Sequence, residues 1–302
     1  MSLLHVLGFY GWYLGIKYSN WQSFLWAYFV GFFAGFGVLC GAHRLWTHRS
    51  YQAHWSLRVL LMILQTLSLQ NDIYEWCRDH RVHHKWSETD ADPHNSRRGF
   101  FFAHMGWLLC RKHPEVIAKG QTIDMSDVWA DPIVILIWGV IPITVPMYFW
   151  NEPFLRAFFG NMFRYIMSLH QAWLVNSAAH IYGNRPYDKR IEPRENIMVQ
   201  YLSGGEGYHN YHHTYPWDYS ASEYGWKDNF NIATAFIDLF AVLGLAYDRK
   251  SVPKPVIKRR ITGTGDGSEY RSIQSKTLDR MIAIVVMTWP LWLSYTVSTF
   301  IR

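Results

Sequence analysis

The sequence contains few cysteines and few charged side chains. Among its 302 residues are only three cysteines, Cys40, Cys77 and Cys110, and charged residues make up 17%. The spacing pairs none of the cysteines, which excludes a disulfide framework and predicts reduced thiols in or facing the cytosol. No internal repeat or low-complexity tract is evident. No basic segment precedes the apolar residues 3–16, so a signal peptide is not favoured there.

Apolar and aromatic residues, in contrast, are abundant. Hydrophobic residues make up 50% of the chain and aromatic residues 18%. Long polar stretches dilute the apolar runs, which is why the mean hydropathy is only −0.09. The length could accommodate two domains. The composition instead predicts a single body, residues 1–302, that is partly embedded in lipid.

Histidine is concentrated in three clusters. They comprise His43 and His48; His80, His83 and His84; and His209, His212 and His213. On a helix, residues i, i+3 and i+4 project from one face, so the second and third clusters are each expected to aim three imidazoles at a common point. His43 and His48 are five residues apart and can share that point only if the helix ends near His43.

A fourth grouping is the pair Asn176 and His180, which are spaced i, i+4. Nine histidines and an amide are too many ligands for one metal, which takes about four to six. Two metals are therefore the natural count, and a purely structural role for the clusters is disfavoured. The remaining histidines are interpreted as ordinary core or surface residues: His5, His54, His94, His104, His113 and His170.

The apolar runs predict four membrane helices, at about residues 3–16, 21–42, 132–150 and 154–177. Segment 55–69 is short for a span, which needs about 20 residues, and contains Arg58, so it is expected at the interface or as a re-entrant segment. All histidine clusters then share one face, formed by residues 43–131 and 182–280. Loops on that face carry almost all Lys and Arg, which predicts that it is cytosolic.

Two C-terminal segments stand apart. The basic, Pro- and Gly-rich run 249–267 is predicted to be an exposed, mobile tail. Residues 281–301 are uncharged and, at about 20 residues, long enough to span a bilayer despite Pro290. As an extra hydrophobic helix they would put the C-terminus in the lumen. An interfacial tail without a role in the chemistry is the open alternative.

Three motifs resemble the histidine boxes of membrane-bound fatty acyl-CoA desaturases, and the match is closest to the animal stearoyl-CoA, or Δ9, type. They are His-Arg-Leu-Trp-Thr-His (43–48), Asp-His-Arg-Val-His-His-Lys-Trp-Ser-Glu-Thr (79–89) and Gly-Glu-Gly-Tyr-His-Asn-Tyr-His-His (205–213). The resemblance extends through 91–102, 173–180 and 218–224 and covers about residues 1–270. Compared with the family, the first membrane helix is truncated and the C-terminus departs from the pattern.

The resemblance implies a di-iron oxidoreductase of the endoplasmic reticulum membrane. Such an enzyme takes two electrons from cytochrome b5, supplied by its reductase, and inserts a cis double bond into a saturated fatty acyl-CoA while reducing O₂ to water. Zinc cannot do redox chemistry, whereas iron with O₂ can oxidise an unactivated methylene. Asn176 would contact one of the two iron ions through water. Matched residue by residue, the direct ligands would be His43, His48, His80, His83, His84, His180, His209, His212 and His213.

The resemblance also assigns residues to the substrate. Trp173 matches a position that lines the acyl path. The alternative is that Arg111 and Lys112 do not bind CoA and only reflect the excess of Lys and Arg in cytosolic loops. The net charge of +6 suits the docking of an acidic redox partner. The positions that match those holding the CoA moiety are Asn71, Arg78, Asp79, Arg111 and Lys112.

Gly31 and Gly35, spaced i, i+4 on the second membrane helix, form a notch on one face. Close helix packing is one explanation for this spacing. The other is that the notch accommodates the end of the acyl chain, because Gly35 lies eight residues, or about 12 Å, before His43.

Together these patterns predict an all-α integral membrane protein with four membrane helices, the first truncated, under a cytosolic helical cap that holds a histidine-rich di-iron site. The predicted function is acyl-CoA desaturation, with membrane lipid as surroundings and no nucleic acid as partner. Alternatives are a related di-iron fatty acid hydroxylase or acyl-lipid desaturase, against which the CoA-side residues argue. A further alternative is an inactive metal-binding isoform or scaffold, against which the complete histidine boxes argue.

Overall fold

The computed structural model describes residues 1–130, 140–268, 276–296 and 299, and this part of the chain is mostly helical, as the sequence predicts. The helices are α1 Ser2–Tyr18, α2 Trp21–Phe36, α3 Trp55–Ser68, α4 Ile73–Lys85, α5 Phe100–His104, α6 Pro114–Gln121, α7 Ser126–Trp129, α8 Val140–Trp150, α9 Phe154–Ile181, α10 Ile197–Leu202, α11 His209–Thr214, α12 Ile232–Val242, α13 Lys254–Thr264 and α14 Lys276–Thr296. A π-helical segment, Gly37–Thr47, continues α2, and 3₁₀ turns lie at Ser96–Arg98 and Gly106–Leu109. Two short strands, β1 Gln52–Ala53 and β2 Ala246–Tyr247, pair antiparallel.

Helices α1, α2, α8 and α9 pack into one bundle. Glycine allows α1 to approach α9 closely, because a Cβ at Gly11 would lie 2.0 Å from the Phe159 carbonyl oxygen. The two turns of the bundle meet at the same end. There the Glu152 carboxylate accepts hydrogen bonds from the backbone amide of Asn20 at 3.0 Å and from the Ser23 hydroxyl at 2.6 Å. The bundle is therefore two helical hairpins joined at their turns.

The second helix is longer than the predicted span 21–42. Together, α2 and the π-helical segment form an uninterrupted helix, Trp21–Thr47, of 27 residues. Within the described ranges, this is the one helix whose length and apolar composition suffice to cross a membrane. The predicted span 132–150 lies partly outside the described residues, which resume at Val140 with α8. The number of spans therefore stays a prediction.

Helix α3, which contains most of segment 55–69, packs along the π-helical segment. Gly37 lies against its backbone, since a Cβ there would be 2.0 Å from the Gln65 nitrogen. A buried core joins these helices to α4 and α12 and includes Cys40, Leu61, Cys77 and Ile237. This core fixes the π-helical segment beside α4, and both carry predicted ligands.

Two helices, α13 and α14, lie in the two C-terminal segments that the sequence analysis described separately. Most of the run 249–267 is exposed, as the sequence predicts. It contains α13, which contacts the rest of the protein, because Ile257 packs into a cluster with Tyr187 and Tyr211 and Thr264 donates a hydrogen bond to the Tyr187 carbonyl at 2.7 Å. The mobility of this run stays a prediction. Helix α14 packs against α2 and α10, so the hydrophobic segment is part of the body.

Candidate metal centre

The nine predicted histidine ligands form two compact groups. In each group, one nitrogen atom from every residue lies within 4.8 Å of the others, which is the arrangement needed to hold a metal ion. Chain elements far apart in sequence supply the groups: the π-helical segment with the residue that follows it, α4 and α11 supply the first, and α4, α9 and α11 supply the second. The first group is His43, His48, His80, His84 and His212, and the second is His83, His180, His209 and His213.

The first group converges on the Nε2 atom of His212. This atom lies 2.9 Å from Nε2 of His43 and 3.1 Å from Nε2 of His84. The Nε2 atom of His80 is in turn 3.1 Å from that of His84. His48 closes the group with its ring centroid 4.9 Å from that of His43. Five imidazoles thus surround one point.

The second group is arranged around His209. Its Nε2 atom lies 2.9 Å from Nε2 of His180 and 3.1 Å from Nε2 of His213. The ring of His83 approaches those of His180 and His213, with centroids 4.9 and 5.1 Å apart. The Nε2 atom of His83 is buried and makes no hydrogen bond with any described residue, so it is available to a ligand.

Helices α4 and α11 each divide their three imidazoles between the groups, contrary to the expectation of one common point per cluster. Successive residues of a helix are rotated by about 100°, so residues i and i+4 are about 40° apart whereas adjacent residues are about 100° apart. His80 and His84 therefore stay together while His83 turns to the second group. On α11 the i, i+4 pair His209 and His213 stays together and His212 joins the first group.

His43 and His48 converge without the helix ending near His43. The helix continues to Thr47 but is wound as a π-helix, and the backbone amide of His48 donates to the His43 carbonyl at 3.1 Å. An i+5 bond closes a wider turn than the ordinary i+4 bond. Five residues then make about one turn, which places both imidazoles on the same side.

Three of these imidazoles contact a carboxylate on the side that faces away from the group. Sequence analysis did not identify these carboxylates. Each faces the Nδ1 atom and so orients Nε2 towards the group, as outer-shell partners of metal-binding histidines do. Their position within or just beside the histidine boxes was a signal that could have identified them. The pairs are Asp92 with His83 at 2.8 Å, Glu88 with His180 at 2.5 Å and Glu206 with His43 at 3.5 Å.

The carboxylates are themselves tightly held. Asp92 also accepts hydrogen bonds from the backbone amides of Glu88 and His94, at 2.8 and 2.9 Å. Glu206 pairs with the buried guanidinium of Arg44 at 2.7 Å. Because a buried charge is costly unless it is paired and hydrogen-bonded, these contacts hold the Asp92 and Glu206 carboxylates in place.

Asn210 fixes the position of α11, and sequence analysis did not identify this residue either. Its side chain is fully buried between the histidines of the helix. The amide oxygen accepts from the backbone nitrogens of Tyr187 and Asp188, at 2.9 and 3.0 Å, and the amide nitrogen donates to the carbonyls of Asp188 and Pro193. These four bonds tie a short helix to the loop that follows α9, so its imidazoles have fixed positions.

Burial favours the neutral form of most of these imidazoles. It lowers the pKa of His80, His84, His212 and His213 well below the ordinary value of 6.5. Burial acts in the same direction on His83, but the Asp92 carboxylate outweighs it and raises that pKa. Neutral imidazole is the form that binds a metal ion, so the chemistry of the donor set fits metal binding.

Three of the five residues assigned to CoA form an ion-pair network. Arg78 pairs with Asp79 at 2.9 Å and Lys112 pairs with Asp79 at 2.6 Å. Both cations also pair with Glu75, which sequence analysis did not single out, at 3.1 and 2.9 Å. Two cations thus face two anions, and the network carries no excess charge.

Arg111 and Asn71 stand outside this network. Both are exposed, and neither makes a hydrogen bond or ion pair with another described residue. Arg111 lines a small cavity together with Lys112 and Trp107. Its charge is therefore uncompensated and available to an anionic ligand.

The remaining predicted site residues lie on α2 and α9. Asn176 is half-buried one turn before His180, and Trp173 is buried with its ring against those of His104 and His170. Gly31 and Gly35 both line a cavity of about 240 Å³. They differ in surroundings, because a Cβ at Gly31 would lie 3.2 Å from Arg164 Cγ whereas one at Gly35 would meet nothing within 4 Å.

The histidines interpreted as ordinary residues lie outside both metal groups. His54 and His113 are exposed. His170 bridges His5 and His104 through nitrogen contacts of 3.1 and 2.9 Å, in a chain rather than around a point. His94 is buried against Trp107.

Comparison with known proteins places this site in a family. The family model described as fatty acid desaturase matches residues 19–224. The chain is 54% identical over 284 residues to a protein named stearoyl-CoA desaturase from Homo sapiens, covering 90% of this chain and 78% of that one. It is 52% identical over 277 residues to an acyl-CoA Delta-9 desaturase from Acheta domesticus, covering 88% and 77%. A second human protein, stearoyl-CoA desaturase 5, is 53% identical over 280 residues, covering 89% and 84%. The chain with these two histidine groups therefore belongs to the fatty acid desaturase family.

Proposed function

We propose that this protein is an acyl-CoA desaturase that inserts a cis double bond at the Δ9 position of saturated fatty acyl-CoA. The observation that carries the proposal is the division of nine buried or half-buried imidazoles into two groups, with carboxylates in contact with three of them. The names of the relatives, stearoyl-CoA desaturase and acyl-CoA Delta-9 desaturase, support the substrate and the position of the bond.

The metal of this proposal is iron, one ion in each group. Imidazole ligands suit Zn, Cu, Fe and Ni, so the donors alone do not select the ion. Zinc is excluded by the reaction, because it has no redox chemistry. Bound iron would supply, with O₂, the oxidising power to remove hydrogen from an unactivated methylene. Asn176, one turn before His180, would reach the second ion through water.

The protein's own residues orient the imidazoles and exclude water from the site. Asp92, Glu88 and Glu206 fix the direction of the imidazoles they contact. Burial of His83 and His212, each 1% exposed, keeps bulk water from the reacting carbon. A saturated chain has no polar group near that carbon, so its register must come from the anchored CoA end and from the shape of the acyl cavity.

The CoA end would be recognised by charge on the polar face. Arg111 offers an uncompensated guanidinium to a phosphate, and Lys112 and Arg78 hold Asp79 in place through ion pairs. Asn71 would contribute from the exposed turn after α3, and Trp173 would line the start of the acyl path. This division of roles makes Arg111 the principal phosphate contact.

The proposed setting is the endoplasmic reticulum membrane, with the chain as one domain. It would cross the membrane four times before α14, by α1, α2, the segment ending in α8, and α9, and once more by α14. The joined turns at Glu152 lie at one end of the bundle. In this proposal that end faces the lumen, and the histidines at the other end face the cytosol. Cytochrome b5 and its reductase would supply electrons there. The excess positive charge of +6 suits an acidic electron donor.

The proposal is tested with membranes that contain the protein. They are incubated with stearoyl-CoA, NADH, O₂, cytochrome b5 and its reductase, and any new double bond is located by mass spectrometry. A His212→Ala variant is the matched control for endogenous activity. Formation of oleoyl-CoA by the wild-type protein alone is the expected result. A hydroxylated product, or no product from protein that carries iron, would overturn the assignment.

A further inference from the structure

Helix α14 borders the cavity that contains Gly35. The cavity has a volume of about 240 Å³ and lies between α2, α9 and α14. A dry apolar cavity of about 150 Å³ is enough to bind benzene, so this one can hold a longer piece of hydrocarbon. Val286, Trp289 and Leu293 are the α14 residues that line it.

Two lining residues of the cavity lie close in sequence to residues of the metal centre. Leu39, one of its lining residues, lies four residues before His43 on the same continuous helix. Gly204, another lining residue, lies two residues before Glu206, which faces His43 Nδ1 at 3.5 Å. An acyl chain with its middle at the histidines can therefore continue into this cavity with its methyl end.

One face of α14 points into the cavity. Val286, Trp289 and Leu293 are spaced i, i+3 and i+7, which places them on the same side of a helix. The Trp289 ring packs against that of Tyr28 on α2 in a T-shaped arrangement, with centroids 6.4 Å apart. This contact brings the two helices together beside the cavity.

The flank and the back of α14 are apolar too. Ile284, Val285 and Trp292 are 62%, 62% and 68% exposed, and Trp289, at the edge of the cavity face, is 45% exposed. A helix that is hydrophobic all round is stable where both sides meet apolar material. Lipid on the outside and an acyl chain on the inside satisfy that condition.

We propose that α14 is the outer wall of the acyl cavity and that Val286, Trp289 and Leu293 determine which acyl chains fit. This inference rests on the proposed desaturase function and assigns a specificity role to a segment that lies beyond the part of the chain resembling the family. With the wall in place, the cavity beside Gly35 has a defined end. With the wall removed, the methyl end would lie in bilayer lipid, which accepts any chain length.

The first test compares two tryptophans on the same helix. Trp289→Ala removes a ring from the cavity, whereas Trp292→Ala removes one from the outer face. A pocket discriminates one methylene group by roughly tenfold or more, so Trp289→Ala is expected to raise turnover of arachidoyl-CoA relative to stearoyl-CoA by about that factor. Leu293→Trp, which fills the cavity, is expected to shift turnover towards myristoyl-CoA. Trp292→Ala should leave the wild-type ratios unchanged.

The second test does not depend on turnover. Wild-type protein is photolysed under nitrogen with a stearoyl-CoA analogue that carries a diazirine at its methyl end, and the labelled peptides are mapped by mass spectrometry. Label on residues 286–293 that unlabelled stearoyl-CoA competes away supports the wall.

The outcomes separate the inference from the function on which it rests. Specific label on α14 without any desaturation would refute the proposed activity but would still support α14 as the wall of the acyl cavity. Desaturation with label confined to other helices would overturn the wall, as would identical length profiles for Trp289→Ala and Trp292→Ala. Should Trp289→Ala fail to fold, Leu293→Trp and the labelling of wild-type protein still decide the matter.

Discussion

The backbone amide of His48 donates a hydrogen bond to the carbonyl of His43, five residues earlier, at 3.1 Å. This π-helical bond brings two imidazoles that an α-helix would separate to a centroid distance of 4.9 Å. π-Turns are rare and occur mostly at functional sites. Here the turn is the means by which one continuous helix supplies two members of the first histidine group.

Loss of a single imidazole from either group should abolish activity. His43→Ala, His83→Ala and His212→Ala are each expected to eliminate turnover, and double variants should be no worse, because residues that act as a unit fail together. Metal analysis of the purified wild-type protein should give about two iron atoms per chain. His54→Ala and His113→Ala, which change exposed histidines outside both groups, are the controls. Stoichiometric zinc in active protein would contradict the prediction.

The carboxylate behind His83 should matter although it is not a proposed ligand. Asp92→Asn keeps the shape of the side chain but removes the charge that faces Nδ1 at 2.8 Å. Such outer-shell losses typically cost 10- to 100-fold in metal affinity or activity. The expected result is a drop of about that size in iron retention during dialysis against a chelator. Asp90→Asn, an exposed neighbour, is the matched control, and equal iron retention in both variants would count against the role.

Arg111 should contribute more to CoA binding than Lys112 contributes. Arg111→Ala removes an uncompensated charge and is expected to raise KM and weaken inhibition by free CoA, with kcat little changed. Lys112→Ala breaks pairs with Glu75 and Asp79, so it should act through the position of Asp79 and have the smaller effect on inhibition. Lys227→Ala, at an exposed cation on another loop, controls for general charge. Unchanged KM in Arg111→Ala would mean that this residue only orients the chain in the membrane.

The two glycines of the α2 notch should respond differently. Gly35→Leu enters open space and is expected to lower turnover of stearoyl-CoA relative to myristoyl-CoA while iron content stays intact. Gly31→Leu would press on Arg164, whose Cγ lies 3.2 Å from the site of a new Cβ. It should therefore lower the thermal stability of the protein. A wild-type chain-length ratio in folded, iron-bound Gly35→Leu would show that this glycine serves helix packing.

Helix α14 should cross the membrane. Arg280 and Ala283, near its start, border a cavity with Trp226 in the loop before α12, whereas Trp289 lies beside Tyr28 near the other end of the bundle. The helix thus runs along α2 from the histidine end towards the turn end. A glycosylation acceptor placed after Arg302 should be modified, because only the lumen has the machinery. An unmodified acceptor, beside a modified acceptor in a known lumenal loop, would leave the C-terminus in the cytosol.

The sequence by itself determined the chemistry and the local geometry. Its nine clustered histidines predicted the side chains that form the two groups, and its apolar runs predicted most of the long helices, because residue type and helical periodicity are properties of neighbouring residues. Even the separation of His80 and His84 from His83 follows from helix rotation, although our expectation of one point per cluster overlooked it. Glu88 and Asp92 lay beside a histidine box and could have been recognised by the same local logic.

Only the tertiary structure decided which imidazoles share a point. His43 meets His212 across 169 residues of sequence, and His180 meets His209 across 29. Sequence spacing contains no information about such contacts, since they arise from how α4, α9 and α11 pack around the π-helical segment. The same holds for α14 and its contact with Tyr28. Helical pattern is encoded locally, whereas the enclosure of a site depends on burying apolar surface between elements that are distant along the chain.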